Sequence, residues 1–181
     1  GQAAWLEPVP DTRSAGLKIP PDIDRKTLTV DPAVAGDGAG ATLSVTAGLK
    51  GLTVASVETR GIAPAVLEIP GPELWSPDDP VLYDITAVLK KDGRVLDEVS
   101  SYAGMRKISL GKDERGFLRL CLNDTPLFQI GPLDQGWWPD GLYTAPTDAA
   151  LRYDIETIKA LGMNMLRKHG KVEPERLYYW C

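Results

Sequence analysis

The residues Leu161–Gly170, LGMNMLRKHG, constrain this chain more than any others, because they read as a short strand entered from a helix and left through a polar cluster. Thr147 suits the cap of that helix, since its hydroxyl can accept from an orphan N–H of the first turn, and Asp148 puts a carboxylate at the positive end of the helix dipole. Leu151, Ile155, Ile158 and Leu161 follow at steps of four, three and three, which is one face of a helix. Gly162 stands where a glycine in the left-handed conformation ends one. Met163–Leu166 is short and apolar, and reads as a buried parallel strand. Arg167, Lys168, His169, Lys171 and Glu173 crowd its end. An apolar strand that finishes in ionisable groups is the pattern of an α/β active-site rim.

A partner strand lies upstream. Gly116–Leu122 and Thr125–Gly131 flank Asn123-Asp124, a pair that tolerates positive φ and suits a hairpin turn. Thr125–Leu166 is therefore expected to be a strand–helix–strand unit with a right-handed crossover. Pro174 suits the first turn of a further helix over Glu175–Cys181.

Before this region the signals are of strands. TLSVTA at Thr42–Ala47 alternates Leu43, Val45 and Ala47 with Thr42, Ser44 and Thr46, a half-buried strand. Lys26–Val30, Thr53–Thr59 and Ala65–Ile69 are β-rich, and Pro70–Pro80 reads as a surface connection. Val81–Lys91 and Arg94–Tyr102 flank Asp92-Gly93, the strongest hairpin signal in the chain. About seven short strands with turns roughly every ten residues indicate an immunoglobulin-like sandwich over 14–110. The polar stretch Gly111–Arg115 reads as the boundary to the second region. The fold class is thus mainly β, a sandwich followed by a partial (β/α) barrel segment.

Charge and composition narrow the partners. A net charge of −5 offers no basic patch for a nucleic acid or an anionic membrane surface. No apolar run approaches the roughly 20 residues that span a bilayer. Two cysteines, Cys121 and Cys181, and one histidine make neither a disulfide framework nor a zinc motif, so no metal or cofactor is expected.

The stretch GPLDQGWWPDGLYTAPTDAALRYDIETIKALGMNMLRKHGKVEPERLYYWC resembles the opening of the catalytic barrel of glycoside hydrolase family 2, the β-galactosidase, β-mannosidase and β-glucuronidase group. LWSPDDPVLYDITAVL followed by SYAGMRKISL resembles the end of that family's immunoglobulin-like domain, and WLEPVP resembles the exit from its sugar-binding domain. The resemblance implies a lead-in at 1–13, the sandwich at 14–110, and a truncated N-terminal part of a TIM barrel at 116–181. It implies retaining hydrolysis of β-glycosides by the parent enzyme, with a carbohydrate as partner.

The same resemblance places the catalytic glutamates on later strands, beyond Cys181, so no catalytic residue is expected here and the isolated chain should be inactive. Asp124 lies in a turn; Asp148, Asp154 and Glu156 lie on the helix; Asp134, Asp140, Glu173 and Glu175 lie in rim loops or at the start of the second helix. None matches the family's catalytic pair. Arg167 matches the arginine that ends the family's second barrel strand and orients the carboxylate nucleophile. His169 falls where the family places substrate-contacting polar residues, although many members read Ser-His where this chain reads Lys168-His169. Asp134 follows the first strand and either hydrogen-bonds a sugar hydroxyl or orders the loop. Trp137, Trp138 and Tyr143 sit in the first strand-to-helix loop, where aromatic faces either stack on sugar rings or cover the barrel mouth. Lys171 and Glu173 read as a rim ion pair.

A second class of reading stands beside this one: a non-catalytic sandwich that binds carbohydrate or protein, with a helical appendage. Leu161–Gly170 discriminates, since a free-standing sandwich needs no strand–helix–strand unit ending in Arg and His. The exposed strand edges and apolar helix face of 116–181 need cover, by docking on the sandwich, by self-association, or else remain mobile.

Overall fold

The computed structural model describes Ala4 and residues 6–181, and the start of the WLEPVP motif at Trp5 lies outside the described residues. The chain is mainly β and divides into two compact units, one spanning Pro8–Leu127 and the other containing Phe128–Cys181.

The first unit holds strands β1 (Arg13–Lys18), β2 (Pro21–Asp22), β3 (Thr27–Ala35), β4 (Thr42–Leu49), β5 (Leu52–Glu58), β6 (Ala65–Glu68), β7 (Tyr83–Lys91), β8 (Arg94–Ala103), β9 (Ile108–Lys112), β10 (Leu118–Leu122) and β11 (Thr125–Pro126). One four-stranded antiparallel sheet runs β5-β4-β7-β8; in the other, β3 pairs with β1, β2 and β6. Between them lies a single apolar core, with Leu28, Val30, Ala65 and Leu67 from one sheet and Leu43, Val45, Tyr83 and Ile85 from the other. The period-two alternation makes this possible: in β4, Leu43, Val45 and Ala47 are buried while Thr42, Ser44 and Thr46 are half-buried. Tyr83 carries a hydroxyl into this core, and its oxygen accepts the Glu73 N–H at 2.9 Å, so the polar group is not stranded.

Three hairpins are closed by two-residue turns with both φ positive: Lys50-Gly51, Asp92-Gly93 and Asn123-Asp124. That geometry matches the twist of the flanking strands. The β9-β10-β11 sheet follows the sandwich. The stretch Gly111–Arg115 is the end of β9 and the turn into β10, not a linker between compact units; the division falls after Leu127. Asp113 organises that turn, accepting from the N–H groups of Arg115 and Phe117 and from Arg119 Nε at 2.8 Å. Lys107 ties two more turns together, reaching Asp24 at 2.8 Å and Asp124 at 2.9 Å.

In the second unit the order is β12 (Leu133–Asp134), α1 (Asp148–Ala160), β13 (Arg167–Lys168) and α2 (Glu175–Trp180). Thr147 caps α1, its hydroxyl oxygen accepting the Ala150 N–H at 3.1 Å, and Gly162 follows the helix with φ +81°. Leu151 is buried, with Ile155 and Ile158 half-buried, but Leu161 is 69% exposed because the helix ends before it. β12 and β13 are parallel, pairing Leu133 with Arg167 and Asp134 with Lys168. The ladder lies later than the expected strand Met163–Leu166. Before it, the Asn164 N–H donates to the Ile130 carbonyl at 3.0 Å while its side chain accepts the Ile130 N–H and donates to the Phe128 carbonyl, so backbone and side chain together tie this segment to its neighbour. Pro174 precedes α2 as an extended cap, rather than sitting in its first turn.

The burial pattern predicts where the first unit is fragile. Leu43→Ala should lower its unfolding free energy by about 2–5 kcal/mol, read from urea denaturation. Leu110→Ala, at a position 65% exposed, should change it by less than about 0.5 kcal/mol.

Candidate functional site

The C-terminal ends of β12 and β13 carry the expected cluster, but its members are sorted by face. Side chains alternate along a strand, so Asp134 and Lys168 share one face of the ladder while Leu133 and Arg167 share the other. Asp134 Oδ2 accepts from Lys168 Nζ at 2.7 Å. Asp134 and Lys168 form the half-buried face of the ladder, and the Asp154 carboxylate on α1 interacts electrostatically with both. Partial burial raises the Asp154 pKa, the Asp134 charge raises it further, and Lys168 opposes both. Arg167 and Leu133 lie on the opposite face, and both are exposed.

On the helix side four ionisable groups form one network. Glu173 has a side chain only 3% exposed, and its carboxylate takes ammonium groups from both Lys168 and Lys171. Lys171, 4% exposed, uses all three of its donors: Glu173 Oε2 at 3.2 Å, the Gly136 carbonyl at 2.9 Å and the Tyr143 carbonyl at 2.7 Å. Asp134 Oδ1 accepts the Gly136 N–H at 2.6 Å. Two cations thus balance two anions, and each carboxylate is committed to a lysine. A buried ion pair costs desolvation and holds only when its remaining hydrogen-bonding capacity is met, as it is here.

The titration of two of these groups follows from their partners. Burial on its own would raise the Asp134 pKa, but the hydrogen bonds from Lys168 and Gly136 and the charges of Lys168 and Lys171 hold it below the usual range. Burial likewise works against the Lys168 ammonium, and hydrogen bonds to Asp134 and Glu173 outweigh it and raise its pKa.

Gly136 sits at the centre with φ +65°, and a Cβ there would collide with Glu173 Oε1, Lys171 Nζ and Lys168 Nζ. Neither Gly136 nor Lys168 stands out in the sequence. A glycine between a glutamine and a tryptophan reads as a loop residue, and Lys168 is identified only once the helix side of the ladder is known.

The three candidate residues are thus separated. Asp134 orders the loop and holds Lys168. His169 is exposed; its Nδ1 lies 3.1 Å from Gln135 Nε2 and its N–H donates to the Asp134 carbonyl, extending the ladder. The Arg167 side chain makes no ion pair or hydrogen bond among the described residues. The expected Lys171–Glu173 pair is present, and it is buried. Among the described residues no group of three or more His, Cys, Asp or Glu is placed to hold a metal ion.

A second assembly joins the helices. Asp148 accepts Arg176 Nε at 3.0 Å, Arg176 Nη2 at 2.8 Å and the indole N–H of Trp180 at 3.0 Å. The Arg176 guanidinium, then the Trp180 N–H, lower the Asp148 pKa to about 2.

The sequence model described as Glycosyl hydrolases family 2 matches residues 16–106. A putative beta-glucuronidase of Formosa agariphila is 28% identical over 169 residues, which is 89% of this chain and 16% of that protein. Beta-galactosidase 2 of Enterobacter cloacae is 30% identical over 177 residues, covering 87% of this chain and 17% of its own length. The chain spans about a fifth or less of these relatives. Among solved structures, a glycosyl hydrolase family 2 member from Bacteroides cellulosilyticus superposes with a TM-score of 0.83 at 24% identity, covering 96% of this chain and 24% of that one. Ruminococcus gnavus beta-glucuronidase gives 0.78 at 19% identity, covering 94% and 28%. At these identities the structural likeness speaks for the fold.

Two outcomes follow from the network. Gly136→Ala should cost more than the roughly 1 kcal/mol of a positive-φ alanine, because the ions must also part. It should melt the second unit's amide protection while leaving the sandwich unchanged in hydrogen exchange. For pH the signs are opposite at the two ends. Asp134, with its pKa depressed, stabilises above the unfolded carboxylate value of about 4, and the effect fades as pH falls through the lower folded value. Lys168, with its pKa raised, stabilises below the unfolded value of about 10.4, and the effect fades as pH rises through the higher folded one. Exchange protection around Gly136 should therefore be flat between about pH 5 and 9 and fall outside that window.

Proposed function

Because the chain belongs to glycosyl hydrolases family 2, we propose that it is the stretch of a β-glycosidase in which the immunoglobulin-like sandwich gives way to the opening strand–helix–strand of the catalytic barrel. On this reading 14–110 is the sandwich domain, and β12, α1 and β13 are the first strand, helix and second strand of the barrel. The single observation that carries it is the parallel β12–β13 ladder across α1, with Arg167 exposed on the face opposite the Asp134–Lys168 ion pair. In a barrel the face away from the helices is the interior, and the C-terminal strand ends point at the reaction centre.

Retaining hydrolysis needs two carboxyl groups about 5–5.5 Å apart, one as nucleophile and one as acid/base. Asp134 and Glu173 are both neutralised by lysines on the helix side, so neither is free for that task. The reading therefore assigns the catalytic pair to later strands of the parent enzyme and makes the isolated chain inert. Arg167 is the residue we assign to the chemistry. An exposed guanidinium on the interior face, with no ion pair or hydrogen bond among the described residues, can hold a carboxylate from another strand through two parallel charge-assisted bonds. That contact keeps the nucleophile ionised and aimed.

Incubating the isolated chain with aryl β-galactoside, β-glucuronide and β-mannoside should give no turnover above buffer; turnover that survives repurification would overturn this assignment. In the full-length protein, Arg167→Ala should lower kcat by about two to three decades, the equivalent of roughly 3–4 kcal/mol, with a far smaller loss of thermal stability. Arg167→Lys should rescue little, because the fork is lost. A normal kcat with a strongly lowered Tm would make Arg167 a structural residue. Failure of the full-length protein to hydrolyse any β-glycoside would favour the non-catalytic binding module instead.

A further inference from the structure

The loop between β12 and α1 is built more tightly than a connection requires. Trp138 and Leu142 exchange two backbone hydrogen bonds, at 2.8 and 3.0 Å, closing a small ring over Pro139-Asp140-Gly141. Leu142 has φ +54°, a conformation that is uncommon for a non-glycine residue, and a Cβ on Gly141 would run into the Thr144 carbonyl. Strain of this kind persists only where the surroundings over-determine it, and it concentrates at binding sites. The closed ring makes Trp137 and Tyr143 the flanking pair, and their ring centroids lie 4.3 Å apart at 39°. The buried Lys171 ammonium fixes them from beneath, donating to the Tyr143 carbonyl and lying 5.2 Å from the Tyr143 ring. Yet Trp137 remains 56% exposed. A large aromatic held rigid and left in water is poor as core and apt as a platform.

We propose that the Trp137–Tyr143 pair is a stacking subsite for a pyranose ring adjoining the one that is cleaved. This rests on the reading of the chain as part of a β-glycosidase. Pyranose rings present a flat patch of C–H groups that suits an aromatic face, and stacking leaves their hydroxyls in water. The side of the ladder fixes which ring it is. The pair is anchored through Lys171, Glu173 and Gly136, on the Lys168 face, whereas Arg167 marks the opposite face, where the reacting centre lies. A sugar on Trp137 is therefore displaced from the ring being cleaved.

Two experiments test this. In the isolated chain, indole N–H resonances are followed while cellobiose or β-1,4-galactobiose is added, with Trp137 assigned by its loss in Trp137→Phe. The Trp137 signal should move with at least one sugar, and the Trp75 signal should not. Lys171→Met should abolish the response by releasing the loop, with the sandwich resonances unchanged. A Trp137 signal that stays still up to the solubility limit of both sugars would overturn the proposal. In the full-length protein, Trp137→Ala should raise KM for a β-linked disaccharide about tenfold, and leave KM for a small alkyl glycoside unchanged. Trp137→Phe should keep most of the affinity. Equal effects on both substrates, or a lowered Tm with no change in KM, would make Trp137 a covering residue. Those results would remove the subsite while leaving the glycosidase reading intact, since that stands or falls on turnover itself.

Discussion

Glu173 is a carboxylate taken almost wholly out of water, and the second unit is arranged to meet its charge. An unpaired anion at that depth would cost several kcal/mol. Lys168 comes to it from β13 and Lys171 from the segment beyond, and Asp134 on β12 balances the second positive charge. The four groups thus stitch both strands and two connections. Forming the network sets the register of Asp134 against Lys168 and pins the loop at Gly136 and Tyr143. It also orients the approach to α2, where the Glu173 N–H donates to the Tyr178 hydroxyl at 3.2 Å. Gly136 is glycine because the volume of a Cβ is the volume the ions occupy.

What could be read in the sequence was what backbone and period dictate. The alternation of β4 and the turns Asp92-Gly93 and Asn123-Asp124 are local signals, and local geometry obeys them. Lys50-Gly51 adopts the same turn without announcing it, since lysine has no side-chain reason to favour positive φ. Polarity misled at Gly111–Arg115, where the Asp113 carboxylate knits a hairpin instead of loosening a linker. Apolarity placed the strand early at Met163–Leu166, where only the Asn164 N–H bonds to the neighbouring Ile130 carbonyl and its side chain supplies the rest, and the regular ladder starts at Arg167. Leu161 fits the helical period, but a period does not reveal where the helix stops.

The site was legible as a cluster and illegible as a geometry. Arg167, Lys168 and His169 are consecutive, so a strand must send them to alternate faces, but the sequence does not say which face meets the helix. Burial distinguishes the faces: Asp134 and Lys168 are half-buried in the ion network, whereas Leu133 and Arg167 are exposed. Asp134, read from sequence as a sugar ligand or a loop-ordering group, is then on the half-buried side. Its two oxygens serve Lys168 and the Gly136 N–H, and a sugar hydroxyl would have to displace a charge-assisted bond to reach them.

The alternation has an electrostatic consequence. Within the network two cations offset two anions, and the Asp154 carboxylate of α1 lies near them on the same side. Arg167 on the other face has no ion-pair partner among the described residues. An exposed guanidinium is stable there because water solvates it. In the proposed barrel interior that solvation would be reduced, and the interaction with an anion strengthened as the local dielectric falls. The same substitution of water by fixed protein groups is what makes a preorganised charge effective in catalysis. A strand that carries a self-neutralising ion network on one side and a single unspent positive charge on the other therefore separates the two tasks. Stability is met locally by the ion network, and in the proposed barrel the remaining charge would be open to a carboxylate from another strand.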